Sequence, residues 1–105
     1  GGAMGLAMLG EKLSAEQAAQ WGLIWRCVED AEFSGFVDQL ATRLASAPTL
    51  GLARTKEAIY SSWSHTLEQQ LDDERGWQRE LGNSADYAEG VAAFMAKRDP
   101  KFLGR

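Results

Sequence analysis

Cysteine, histidine and proline are nearly missing from this 105-residue chain, which has one cysteine, Cys27, one histidine, His65, and two prolines, Pro48 and Pro100. A single cysteine excludes an intrachain disulfide framework and a zinc site built on paired thiolates. A single histidine, placed beside Ser64 in a polar turn, supports neither an ordinary metal cluster nor a Ser-His-Asp arrangement, and a surface or capping role accounts for it. No apolar run approaches the roughly 20 residues of a transmembrane helix, and the amino-terminal stretch has no basic flank of secretory type, so a cytoplasmic location without a membrane partner is the expectation. Positive charge is also scarce: eleven basic against fifteen acidic side chains give a formal net charge of -4. Without a basic stripe interleaved with aromatics, a nucleic-acid partner is disfavoured. No glycine-rich phosphate loop follows a strand.

Helical periodicity fills what remains, and 45% hydrophobic residues suffice for the modest core of one small unit. Gly1 to Gly10 carries Met4, Leu6, Ala7, Met8 and Leu9 without a convincing cap, the pattern of a helix end whose earlier turns are missing. Ser14-Ala15-Glu16-Gln17 forms a capping box, and Gly22 suits a left-handed helix terminus. Leu23 to Val28 reads as an extended connection, in which Cys27 is expected as a buried, inert thiol. Phe33, Phe36, Val37, Leu40 and Leu44 recur at spacings of three and four, predicting an amphipathic helix over 32–47. Pro48 ends it and can open the next, over 49–63. After a polar hinge at 61–65, Ser64 or Thr66 can cap a helix running to Leu81. Its stripe of Leu67, Leu71, Trp77 and Leu81 includes Gln70 and Glu74, which suits an interface better than a dry core. A solvated edge is the simpler reading of Asp72-Asp73-Glu74. The expectation is an all-α chain of four to five helices, with four tryptophans offering large apolar contact areas.

The last helix concentrates the interest. Ser84 can cap it, Asp86 suits its first turn, Lys97 and Arg98 its last, and Pro100 stops it. Tyr87, Val91, Phe94 and Met95 fall on one side, which predicts their burial. Lys97 lies beside Phe94, and an aromatic next to an ammonium group could hold a phosphorylated aromatic ligand; a core phenylalanine with a solvated lysine is the plainer alternative. Asp86 and Glu89, three residues apart, could form a carboxylate pair for acid/base work, although capping and solvation explain them more simply. No catalytic or metal-ligating constellation emerges from these residues.

Glu89-Gly90-Val91, Ala93-Phe94, Lys97-Arg98, Pro100, Phe102 and Gly104-Arg105 resemble the carboxyl end of the enoyl-CoA hydratase/isomerase, or crotonase, family. The segments Gly10 to Ala18, Trp21 to Val28 and Thr55 to Tyr60 are similar to the same family, with Leu9, Trp25 and Tyr60 departing from its usual residues. The resemblance runs from Met4 to Arg105 and implies the carboxyl-terminal helical trimerisation part of such a protein, without the amino-terminal ββα spiral that carries catalysis. It implies that Phe94 and Lys97 contact the adenosine of coenzyme A and its phosphate, that an acyl-CoA thioester is the substrate, and that no catalytic residue lies in this chain. It further implies a homo-oligomer, trimer or dimer of trimers; for the isolated piece a dimer is the alternative, and it is expected to bind CoA weakly and turn nothing over. Within the family, Gly5 to Leu13, Gln70 to Arg75 and Ser84 to Val91 most resemble the branch that isomerises a ring-epoxidised aromatic acyl-CoA. A small helical module that self-associates through its tryptophan-rich faces is the competing expectation.

Overall fold

The computed structural model describes residues 1–105. They form six helices and no strand: α1 (Gly2–Leu9), α2 (Ala15–Gln20), α3 (Asp30–Ala45), α4 (Thr49–Ser61), α5 (Leu67–Gly82) and α6 (Ala85–Ala96). The all-α expectation holds, with one helix more than the four to five predicted. The short first run, read as a helix end, closes into two turns and stops where Gly10 adopts φ 64° and donates its amide to the Leu6 carbonyl at 3.1 Å. The chain divides into two compact units, Gly1–Asp38 and Gln39–Arg105.

In the first unit, Ser14 caps α2 by accepting the Gln17 amide at 3.1 Å. The return arm differs from a capping box, since the Ser14 hydroxyl donates to Gln17 Oε1 at 3.3 Å. Gly22, at φ 74°, donates to the Ala19 carbonyl while Leu23 donates to that of Ala18, the paired bonds of a Schellman end. In the connection that follows, the Arg26 guanidinium lies over the rings of both Trp25 and Phe36, 5.5 and 5.4 Å from their centroids. Cys27 is half-buried and not fully covered as expected. Partial burial pushes its thiol pKa up, with Glu16, Glu29 and Asp30 adding to the effect, so an unreactive thiol fits the site.

In the second unit, α4 packs on α5 and α5 on α6. Thr66, and not Ser64, caps α5 with both arms of a capping box: it accepts the Gln69 amide at 3.2 Å and its own amide donates to Gln69 Oε1 at 3.0 Å. Polar bonds cross the α4–α5 contact. Gln70 Nε2 donates to the Ala58 carbonyl at 3.0 Å and to Glu74 at 3.2 Å, while Arg54 forks onto Glu80 with two bonds of 2.8 Å. That fork raises the Arg54 pKa and lowers that of Glu80. Gln70, Trp77 and Leu81 are half-buried, whereas Leu67 and Leu71 of the predicted stripe face solvent. Glu74 is exposed, so it needs no compensating cation. His65 Nδ1 stands 3.3 Å from Asp73 Oδ2 but outside hydrogen-bonding geometry, in keeping with a turn residue.

Little of this helical surface is covered. Only Ala18 and Ala93 are buried hydrophobics, and Trp21, Trp25 and Trp63 are exposed, Trp63 at 89%. The chain exposes 8860 Å², whereas separately folded monomers of the two units' lengths would together expose about 7,000 Å². The large apolar contacts that the tryptophans promised are therefore not made within the chain, and its apolar faces stand unpartnered.

Candidate functional site

A dense set of hydrogen bonds joins α6 and the tail behind it. Ser84 caps the helix, accepting the Tyr87 amide at 3.1 Å while its hydroxyl donates to the Leu81 carbonyl at 2.6 Å. Asp86, two residues on, is 4% exposed, which an isolated carboxylate could not sustain. It is satisfied by the tail: the amides of Leu103 and Gly104 donate to its two oxygens at 2.7 and 2.8 Å, and its own amide donates to the Arg105 carbonyl at 2.8 Å. One turn along, Glu89 accepts both Arg98 Nη1 and Nη2 at 2.8 Å and the Lys101 amide at 2.7 Å. These bonds, Arg98's first, hold its pKa down to about 2, so it stays ionised throughout ordinary pH. The two carboxylates are thus tethers for the tail and not an acid/base pair. Sequence spacing alone showed their adjacency but not the chain reversal that brings residues 98–105 back to them.

The burial predicted for Tyr87, Val91, Phe94 and Met95 does not occur. All four are exposed, Phe94 at 82%, because the face of α6 that is covered carries Asp86, Glu89, Gly90 and Ala93. Phe102 from the tail lies against Gly90, where a Cβ would meet its ring at 3.7 Å. The adjoining apolar side of α6 opens onto a groove of about 440 Å³, which Asp86 and Gly90 also border and which is lined by Leu50, Leu81, Tyr87, Val91, Phe94 and Phe102.

Lys97 also departs from expectation. It lies just past the last turn and not within it, in the left-handed region at φ 53°, ψ 45°. It is the only non-glycine residue of the chain with positive φ. The Lys97 amide donates to the Phe94 carbonyl at 3.2 Å and the Arg98 amide to that of Ala93 at 3.0 Å, a Schellman end with lysine where glycine is usual. Phe94 and Lys97 therefore stand one turn apart at the end of α6, Phe94 with its ring exposed. Neither hydrogen bonds nor ion pairs within the chain engage the Lys97 side chain. Residues 97–105 hold four of the eleven basic side chains, Lys97, Arg98, Lys101 and Arg105, against one acid, Asp99, so this end is locally positive on an acidic chain. Such a place can stack a flat heteroaromatic and receive a phosphate.

No group of three or more His, Cys, Asp or Glu side chains is gathered closely enough to hold a metal ion. No helix is long and apolar enough to cross a membrane.

Comparison with known proteins places these features in context. The family model for enoyl-CoA hydratase/isomerase matches residues 2–105. The 1,2-epoxyphenylacetyl-CoA isomerase of Escherichia coli (strain K12) is 55% identical over 103 residues, covering 98% of this chain and 39% of the relative. A protein named probable enoyl-CoA hydratase, from Rhodobacter capsulatus, is 46% identical over 103 residues, 98% of this chain and 40% of its own length. Among solved structures, an enoyl-CoA hydratase from Mycobacterium marinum superposes with a TM-score of 0.86 at 30% identity, over 98% of this chain and 41% of that one. The chain thus spans about two fifths of the length of the curated relatives it matches.

Proposed function

The chain belongs to the enoyl-CoA hydratase/isomerase family, and from that premise we propose that it is the carboxyl-terminal, CoA-covering and oligomerising part of an acyl-CoA isomerase or hydratase. Its partner region is a ββα spiral in the same native polypeptide. There, a thioester oxyanion is stabilised by backbone amides while a carboxylate moves a proton. The contribution of this chain is binding: Phe94 offers a ring face to the adenine and Lys97 an ammonium to the adenosine phosphate. The observation that carries this reading is the left-handed backbone of Lys97 one turn beyond the bare ring of Phe94. A non-glycine residue in that region costs energy, and such outliers concentrate where function requires them.

The unpartnered apolar faces support assembly with further protein, both the spiral and copies of the chain. The name of the Escherichia coli relative favours a ring-epoxidised aromatic acyl-CoA such as 1,2-epoxyphenylacetyl-CoA as the substrate.

The test is steady-state kinetics of the intact native polypeptide on that thioester. Phe94→Ala and Lys97→Gln should each raise KM about tenfold with kcat nearly kept, since uniform binding is lost and not transition-state stabilisation. The 105-residue chain alone should give no turnover. An unchanged KM in both variants, or substantial turnover by the chain alone, sinks the reading.

A further inference from the structure

We propose that Glu89 is a positioning residue for Lys97, acting through Arg98: its carboxylate ties the chain behind Lys97 back onto α6 and so fixes where the ammonium is presented. This deepens the CoA-binding reading above and rests on it.

Lys97 is the apex of a reversal. One arm is α6, and the other is residues 98–105, which run back along the helix to Asp86. The two Schellman bonds at the apex could hold equally well with glycine, and a lysine there is under conformational strain that fraying of the helix end would relieve. What opposes fraying is the first cross-tie below the apex. Glu89 takes both Arg98 nitrogens at 2.8 Å and the Lys101 amide at 2.7 Å, so residues on the far side of Lys97 are held from one carboxylate two turns back. The planar fork matters, because a two-point contact restrains direction as well as distance. The tie has a second consequence. With Arg98 and Lys101 occupying its oxygens, Glu89 makes no ion pair with Lys97, whose ammonium is left free for a ligand anion. Held well below the usual carboxylate range, Glu89 remains charged at any working pH, and the tie does not switch.

The deeper tether at Asp86 is a different device. It is buried and holds the tail's end, far along the strap from Lys97, so its loss would loosen the whole strap and not selectively the apex.

The experiment measures, on the intact native polypeptide, affinities for CoA and for dephospho-CoA, which lacks the adenosine 3′-phosphate. The variants are Glu89→Gln, Arg98→Lys, Lys97→Gly and the double variant Glu89→Gln/Lys97→Gly. The wild type should prefer CoA by roughly tenfold. Glu89→Gln and Arg98→Lys should cut that preference to about threefold or less, with dephospho-CoA affinity and helical circular dichroism nearly unchanged. Lys97→Gly should abolish the preference, and adding Glu89→Gln should change nothing more. A preference retained in both single variants overturns the proposal. So does an equal fall in affinity for both ligands, or a loss of helicity in both variants, since either marks a purely structural tie. A wild type that binds the two ligands alike overturns the CoA-binding reading itself, an outcome distinct from the others.

Discussion

The two faces of α6 are held by opposite kinds of physics. The face turned inward is polar and finished: Asp86 and Glu89 take four backbone or guanidinium partners from the tail between them at 2.7–2.8 Å, beside the buried Ala93 and the small Gly90. The face turned outward is apolar and bare, with Tyr87, Val91, Phe94 and Met95 all exposed. In a self-sufficient domain the assignment would be reversed, because burying apolar area is the main favourable term in folding. The chain closes with a hydrogen-bonded strap the side of α6 that its own polar groups can satisfy, and it leaves the apolar side bare.

The sharpest way to break this comparison is to cut the inward face at its buried point. Asp86→Ala leaves the Leu103 and Gly104 amides without their charged acceptor, at a cost of about 3 kcal/mol for two charge-assisted bonds in a covered site. The expected result is a loss of about a hundredfold in hydrogen-exchange protection of those two amides. Retained protection would mean that the strap is held by something other than Asp86.

A smaller effect should follow at Gly104. Its φ of 80° lies in the left-handed region, and an added Cβ would stand 2.6 Å from Thr49 Oγ1. Gly104→Ala therefore meets both a backbone and a contact penalty, about 2 kcal/mol together, read as a lower melting midpoint. Adding Thr49→Ala should recover the contact part and leave the backbone part, about 1 kcal/mol. Full recovery would show that the backbone conformation costs nothing here.

Much of the fold was readable before the structure, and the reasons it was not fully so are specific. Ser14, Ser84 and Thr66 announced helix starts because capping is local, a matter of three or four consecutive residues. Gly22 announced a helix end for the same reason. The burial of α6 was misread because a helical wheel identifies an apolar face but not whether the chain supplies anything to cover it. Leu67 and Leu71, read as part of a stripe suited to an interface rather than a dry core, are exposed for the same reason. Asp86 and Glu89 were explained by capping and solvation, since their partners sit 9 to 18 residues away, beyond any pattern of helical spacing. The backbone of Lys97 was hidden too: no local rule puts a lysine in a glycine's conformation, although its place beside Phe94 and its resemblance to a known family both made it a candidate for ligand binding.

The smallest expected effect is the most discriminating for the outward face. At 82% exposure Phe94 has little apolar area to lose, so Phe94→Ala should move the stability of the 105-residue chain by less than about 0.5 kcal/mol. The same truncation of a core phenylalanine would cost about 3–5 kcal/mol. Urea denaturation followed by circular dichroism separates these cases easily, provided the slope of the transition is unchanged between the two proteins. In the intact native polypeptide the same variant should cost more wherever that face is covered, and the difference between the two measurements is the share of Phe94 contact that lies outside this chain. A loss of several kcal/mol already in the short chain would place Phe94 in an internal core, and with it would go the distinction between a finished inner face and a reserved outer one.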